Sequence, residues 1–385
     1  MSKLMSVVVA IIFVFFSVVS VGAETDNSSV DASLQYADDL SETLGVKELY
    51  DNLPEDVRKS LKNIGVTSDV DVLDNVSFNS VAKEIIGIIS NQFSDVLSSM
   101  SVILAVLLLY SLSESFSQTV TGGMMKDVLA VVSGLCIAGV MVVPVTGVID
   151  SAGRAVVTAS EFMLMFVPIM FAVLVSCGKA LSGAGYYSLM IFAAEGIAQL
   201  SAKLIVPMLN VFLGVSVCSA VVPQVRLNSL TDLFAKTIKW ILSFSFTIFS
   251  ALLTFKTLIS TSIDSVSTRA VRFTMSSFIP VVGAALSEAY KTVQGSINIL
   301  KNGLGVFVIF AVTLVFLPIV LRLTLWSFLL SVSKTFSQML SLDLPGRMLS
   351  GISTVISVLL AVLLCIMALF IISTALIITA GGYSQ

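Results

Sequence analysis

From Val96 to Thr379 the chain is a succession of apolar runs, each bounded by short polar links. A helix needs roughly 20 mainly apolar residues to cross a bilayer. The runs Val96–Ser113, Val128–Ile149, Phe162–Cys177, Trp240–Thr261, Val306–Val332 and Val355–Thr379 approach or exceed that length. The stretch Tyr186–Val222 reads either as one tilted helix or as a short hairpin, and Phe273–Tyr290 is of mixed character. Composition agrees: 56% of residues are hydrophobic, 12% are charged and the mean hydropathy is +1.02. Soluble domains are about half apolar and about a quarter charged. The fold class is therefore an all-α polytopic membrane protein with about 6–8 transmembrane helices. A β-barrel would show short alternating segments instead.

The chain starts MSKLMSVVVAIIFVFFSVVSVGAE. Lys3, the apolar run Val7–Val19 and the small residues before Glu24 form the pattern of a secretory signal peptide over residues 1–23. The alternative is an uncleaved first anchor helix. Either way the following segment is exported. Residues 24–95 hold 15 acidic and 5 basic residues. The part beyond Ser99 holds 9 acidic and 15 basic ones, scattered over links. That scatter fits loop charges beside a membrane and not a nucleic-acid stripe. Within the acidic segment Leu44, Leu49, Leu53, Val57, Leu61 and Ile64 recur at helical spacing, and Pro54-Glu55-Asp56 marks a helix start. The expected organisation is signal peptide 1–23, acidic extracytoplasmic segment 24–95 and polytopic membrane domain 96–385.

One phrase is written twice. IDSAGRAV runs from Ile149 to Val156 and IDSVSTRAV from Ile263 to Val271. Other landmarks keep the same order and nearly the same offset: Pro168 with Pro280, Pro207 with Pro318, Asp232 with Asp343, and Lys236 with Arg347. This points to a tandem duplication, roughly 128–239 and 240–351, followed by a final span at 355–379. The repeated phrase then reads as a loop or helix start that each unit carries once. Three spans per unit would invert the second copy, and four would leave the copies parallel. Inverted repeats with broken helices are a common transporter design.

Little here supports catalysis. There is no histidine, so His triads and His-ligated metals are excluded. The four cysteines lie in or beside apolar runs without CxxC spacing, as packing residues do. No catalytic residue, cofactor or metal site is expected. Two features remain as candidates. Glu195, Gln199 and Lys203 fall at i, i+4 and i+8, one polar stripe on a membrane helix, where ionisable groups are costly and usually face a bundle interior or water. Pro168, Pro207, Pro280 and Pro318 interrupt apolar runs and are candidate kinks or gates, or static packing bends.

Long strings carry a resemblance over most of the chain: TGGMMKDVLAVVSGL, FVPIMFAVLVSCGKALSGAGYY, VVPQVRLNSLTDLFAKTIKW and TRAVRFTMSSFIPVVGAALSEAYKTVQGSINILKNGLG. With them the chain resembles the stage III sporulation protein AE family of endospore-forming Firmicutes. The resemblance implies a non-enzymatic membrane component of the channel or transport apparatus that links mother cell and forespore. It implies a place in the mother-cell membrane around the forespore, with the N-terminal segment in the intermembrane space. Implied partners are a secretion-type ATPase, ring-forming membrane subunits and the lipid bilayer, with no nucleic acid. The family has no short catalytic motif, so no functional residue is carried over. The alternative from the residues themselves is a stand-alone secondary transporter with an internal repeat.

Overall fold

The computed structural model describes residues 39–66, 78–120, 124–221, 228–278 and 283–379. Among these residues every regular element is a helix. Two short helices, α1 (Val46–Asp51) and α2 (Glu55–Ile64), precede the bundle. Its long members are α3 (Phe78–Val120), α4 (Met124–Ser176), α5 (Ala180–Leu200), a π turn (Ser201–Ile205), α6 (Val206–Val221), α7 (Asn228–Phe278), α8 (Gly283–Met339) and α9 (Asp343–Thr379). The π turn joins α5 and α6 into one rod, so six helices are long and apolar enough to cross a membrane. The signal peptide expected over residues 1–23 and Pro280 lie outside the described residues.

Several links expected from the sequence are helix interiors instead. IDSAGRAV sits in the middle of α4, and IDSVSTRAV lies inside α7. The runs Val128–Ile149 and Phe162–Cys177 are thus two parts of one helix. The hairpin alternative for Tyr186–Val222 also falls, because the chain continues through the π turn. Polar residues do not end a helix when neighbouring helices pack on it, since tertiary contacts outweigh local propensity. Each of the two expected units then holds two long antiparallel helices, α4 with α5–α6 and α7 with α8.

Among the described residues, Pro168, Pro207 and Pro318 end no helix. Pro168 lies inside α4 and Pro318 inside α8. Pro207 is the second residue of α6, directly after the π turn. A proline there removes a donor and crowds the carbonyl four residues earlier. The wider turn relieves this, and the Val206 N–H donates to the Ser201 carbonyl, five residues back. At Pro318 a side chain from another helix takes part: Gln92 Nε2 of α3 donates to the Pro318 carbonyl at 3.1 Å.

α8 is the centre of the bundle. It packs on α9, α4, α3 and α7, and also on α2. From Leu304 to Leu317 every residue is buried, and 94% of its most apolar window is enclosed by the protein. Close approach to α9 depends on Gly305, where a Cβ would overlap the Ile378 side chain. A tight turn at 340–342 folds α9 back on α8: the Ser337 hydroxyl donates to the Leu342 carbonyl at 2.9 Å, and Ser341 adopts φ 56°. The α1–α2 pair docks on the flank of this core. Leu49, Leu53, Val57, Leu61 and Ile64 are buried, as their spacing implied. The Tyr50 ring meets Phe307 of α8 at 6.2 Å, and Ser60 and Asn63 donate to the Glu84 carboxylate of α3. The strand-free bundle with α1–α2 on its side is what positions the polar groups below.

Candidate functional site

Two polar groupings stand out among the apolar packing. The first is the stripe read from the sequence. α5 and the π turn carry Glu195, Gln199 and Lys203 on one face, and all three are exposed. Gln199 Nε2 donates to Glu195 Oε1 at 3.0 Å. The stripe therefore points outward, away from the bundle interior. The neighbouring α4 adds exposed groups of its own: Asp150, Arg154 and Glu161. Arg154 Nη2 donates to the Ser151 hydroxyl at 3.0 Å. The kink candidates fall elsewhere. Pro318 is half-buried at the α3–α8 contact, whereas Pro168 and Pro207 are exposed on α4 and α6. The three do not converge on one cavity.

The second grouping gathers where α4 turns into α5. Gly178 adopts φ 75°, a conformation glycine accepts without strain, and reverses the chain. The new helix α5 begins with unsatisfied backbone N–H groups. Asp264 of α7 fills that need from another helix. Its carboxylate accepts from Ser182 N at 2.7 Å and from Leu181 N at 3.3 Å, and it is only 6% exposed. A buried carboxylate at a helix N-terminus is held by charge-assisted bonds and by the positive end of the helix dipole. Beside it, Gln294 Nε2 of α8 donates to the Cys177 carbonyl at 3.2 Å and to the Tyr290 hydroxyl at 3.0 Å. Burial pulls the Lys179 ammonium at this turn below its ordinary lysine value, while Cys177 and Asp264 act the other way. Burial likewise pushes the Cys177 thiol up, and the residue is 2% exposed.

Lys301 completes this end of the bundle. It is 1% exposed, and its Nζ donates to the Ile378 carbonyl at 2.9 Å. The last carbonyls of α9 have no intrahelical partner, and an ammonium satisfies both their lone pairs and the negative end of the helix. Sequence reasoning missed both Asp264 and Lys301 as organising residues. Their partners lie 82 and 77 residues away, so no local spacing reveals them. The one available signal was position: Lys301 stands at the mouth of the longest apolar run. The cluster joins turns and helix ends and presents no nucleophile–base pair. Among the described residues no three His, Cys, Asp or Glu side chains lie close enough to hold a metal ion.

The family assignment rests on the length of the match. Residues 68–381 match the family described as Stage III sporulation protein AE. The chain belongs to that family. A relative of the same description, Stage III sporulation protein AE of Bacillus subtilis (strain 168), is 25% identical over 238 residues. The match covers 62% of this chain and 59% of the relative. It thus spans less than two thirds of the relative's length. No solved structure matches the chain. The family match runs from the residues before α3 to just beyond α9 and so takes in all six long helices. It makes this a sporulation-related multi-pass membrane protein. The family is not one of known enzymes.

Proposed function

We propose that this chain is a non-enzymatic component of a membrane channel or transport apparatus that connects mother cell and forespore during sporulation. The carrying observation is the family match across the entire six-helix bundle. In this reading the bundle sits in the mother-cell membrane around the forespore. The α1–α2 segment, on the side from which the chain enters α3, faces the intermembrane space. Lys236, Lys239, Lys334 and Arg347 then lie toward the opposite, cytoplasmic end, as the distribution of positive charge in membrane proteins favours. Other membrane subunits and a secretion-type ATPase are the partners this role requires.

The test is a clean deletion in the native organism, scored for vegetative growth, spore yield and late forespore gene expression. Normal growth with arrest after engulfment is the expected result. Normal sporulation with a defect in solute uptake would instead favour a stand-alone secondary transporter. Against that second reading stands the packing of the interior. The helix at the centre of the bundle is filled with apolar side chains from Leu304 to Leu317, and Glu195 and Lys203 point outward.

A further inference from the structure

α7 is the span that the protein covers least. Of its most apolar window 11% is enclosed, the smallest share among the six spans. Large apolar side chains are exposed along it: Trp240, Phe244, Ile248, Leu252, Phe255 and Ile259. Lys239 and Trp240 mark one edge of this belt, and the exposed Lys256 stands near the other. At 1.5 Å per residue, a hydrocarbon core about 30 Å thick takes roughly 20 residues. Counted from Trp240, Lys256 falls within about one turn of the level where acyl chains give way to phosphates.

At this level α5 and α7 leave a groove of about 420 Å³. It is lined by Leu181, Ala184 and Gly185 of α5 and by Lys256, Ile259 and Ser260 of α7. The antiparallel register builds it: Ser182 meets Asp264, Gly185 meets Ser260, and Ser188 meets Lys256. Gly185 keeps the space open, since a Cβ there would lie 3.5 Å from Ser260 Oγ and 3.8 Å from Lys256 Cδ. Lys256 Nζ donates to Ser188 Oγ at 3.4 Å, and that hydroxyl donates to the Gly185 carbonyl at 3.1 Å. An ammonium carries three donors. Among the described residues no carboxylate pairs with Lys256. Two turns on, the Asp264 carboxylate is taken up by the Leu181 and Ser182 amides. The groove therefore offers a cation, without a counter-charge, at the edge of an apolar belt.

We infer that the α5–α7 groove binds an anionic phospholipid, with the phosphodiester on Lys256 Nζ and an acyl chain along Leu252 and Ile248. The charge and the belt each meet one half of such a molecule. A cation beside hydrocarbon is costly unless an anion or water reaches it, and the phosphate supplies the anion. Leu252 and Ile248 lead from Lys256 toward the bilayer centre and are exposed to it. A zwitterionic lipid would bring a second cation to the lysine, whereas an anionic head group brings none. A partner helix fits the groove less well. Helices associate in membranes along rows of small residues that let backbones approach. Here the small residues Ala184 and Gly185 fill a fraction of one turn, and the exposed Leu181, Leu252, Phe255 and Ile259 stand around them. The inference depends on the bundle's place in a membrane and not on the sporulation role.

The test uses the purified full-length protein in a nonionic detergent. Phosphatidylglycerol or phosphatidylcholine with the same acyl chains is added, and bound lipid and oligomeric state are read by native mass spectrometry. One phosphatidylglycerol should be held about tenfold more tightly than phosphatidylcholine, the worth of one charge-assisted bond. Lys256→Gln should remove that preference, and Lys256→Arg should keep it. Ala184→Leu, at an exposed position, should fill the groove and weaken both lipids. Lys239→Gln, at the other edge of the belt, should leave the preference unchanged. Inorganic phosphate should fail to displace the lipid, because it lacks the acyl chain. Unchanged thermal midpoints of the variants without lipid show that each still folds. Equal binding of the two lipids, or equal losses in Lys239→Gln and Lys256→Gln, would overturn the site. Displacement by inorganic phosphate would overturn the lipid as its ligand. A dimer that Ala184→Leu abolishes, with no lipid retained, would give the groove to a second copy instead.

Discussion

The phrase IDS…RAV does two different jobs in its two occurrences. In α7 its aspartate, Asp264, is buried and caps the first turn of α5 through two backbone N–H groups. In α4 the matching Asp150 is exposed. There the working residue is Gly153, whose missing side chain lets Val206 approach. The second phrase has no counterpart glycine, because Val-Ser-Thr replaces Ala-Gly. Shared sequence therefore does not bring shared function when the neighbours differ. A helix start lies beside Asp264, whereas a tightly packed helix crosses beside Gly153.

Substitutions can break or sharpen this contrast. The largest effect is expected from Asp264→Ala. It strips two charge-assisted bonds from buried amides, and bonds of this kind contribute about 1.5–3 kcal/mol each. A loss of about 3 kcal/mol should appear as a lower thermal midpoint in detergent. Asp264→Asn, which keeps one acceptor, should lose less. Gly153→Leu comes next. It forces a side chain into the space of Val206, and overpacking of this kind costs about 1–3 kcal/mol. The same midpoint measurement checks it. If Asp264→Ala proves neutral while Gly153→Leu is severe, the cap matters less than close helix approach.

A third prediction concerns protonation beside the cap. Lys179 has its folded-state value lowered, mainly by burial, and Asp264 opposes the shift. Asp264→Asn removes that opposition, so the Lys179 value should fall further in a titration by NMR of the labelled lysine. The sign for stability follows from proton uptake. The unfolded chain binds the proton more tightly, so stability rises as pH climbs from the folded value toward the ordinary lysine value. Below the folded value the penalty is fully present. The smallest effect belongs to Asp150→Ala, which should change the midpoint by less than about 0.5 kcal/mol, as surface substitutions do. A loss comparable to Asp264→Ala would show that the first phrase also caps a helix.

Much of the architecture was legible in the sequence. The helical membrane class follows from run lengths alone, and the Leu44–Ile64 spacing announced the helices that cover Phe307. The polar stripe was also legible, because i, i+4 and i+8 place Glu195, Gln199 and Lys203 on one face wherever the helix lies. Its direction was not. The spacing fits an inward stripe as well as an outward one, and only the packing of α4, α7 and α9 against α5 decides. The six long helices among the described residues sit at the low end of the expected 6–8, because IDSAGRAV reads as a link. Its polar residues and glycine weaken an isolated helix, yet Val206 packing on Gly153 keeps α4 continuous.

Hydrophobicity by itself determined that this chain must enter a membrane and must do so as helices, because backbone polar groups in lipid need partners within the segment. It did not determine which helices lipid touches. α8, with a mean hydropathy of 2.9 in its span, has 94% of that window enclosed by protein, whereas α7, at 1.6, has 11%. Both the protein interior and the lipid are apolar, so residue type cannot tell them apart. Close packing through Gly305, the Asp264 cap and the Lys301 bond to Ile378 join partners far apart in the chain. Those contacts put α8 at the centre and α7 at the rim, and turned the charges of α4 and α5 outward.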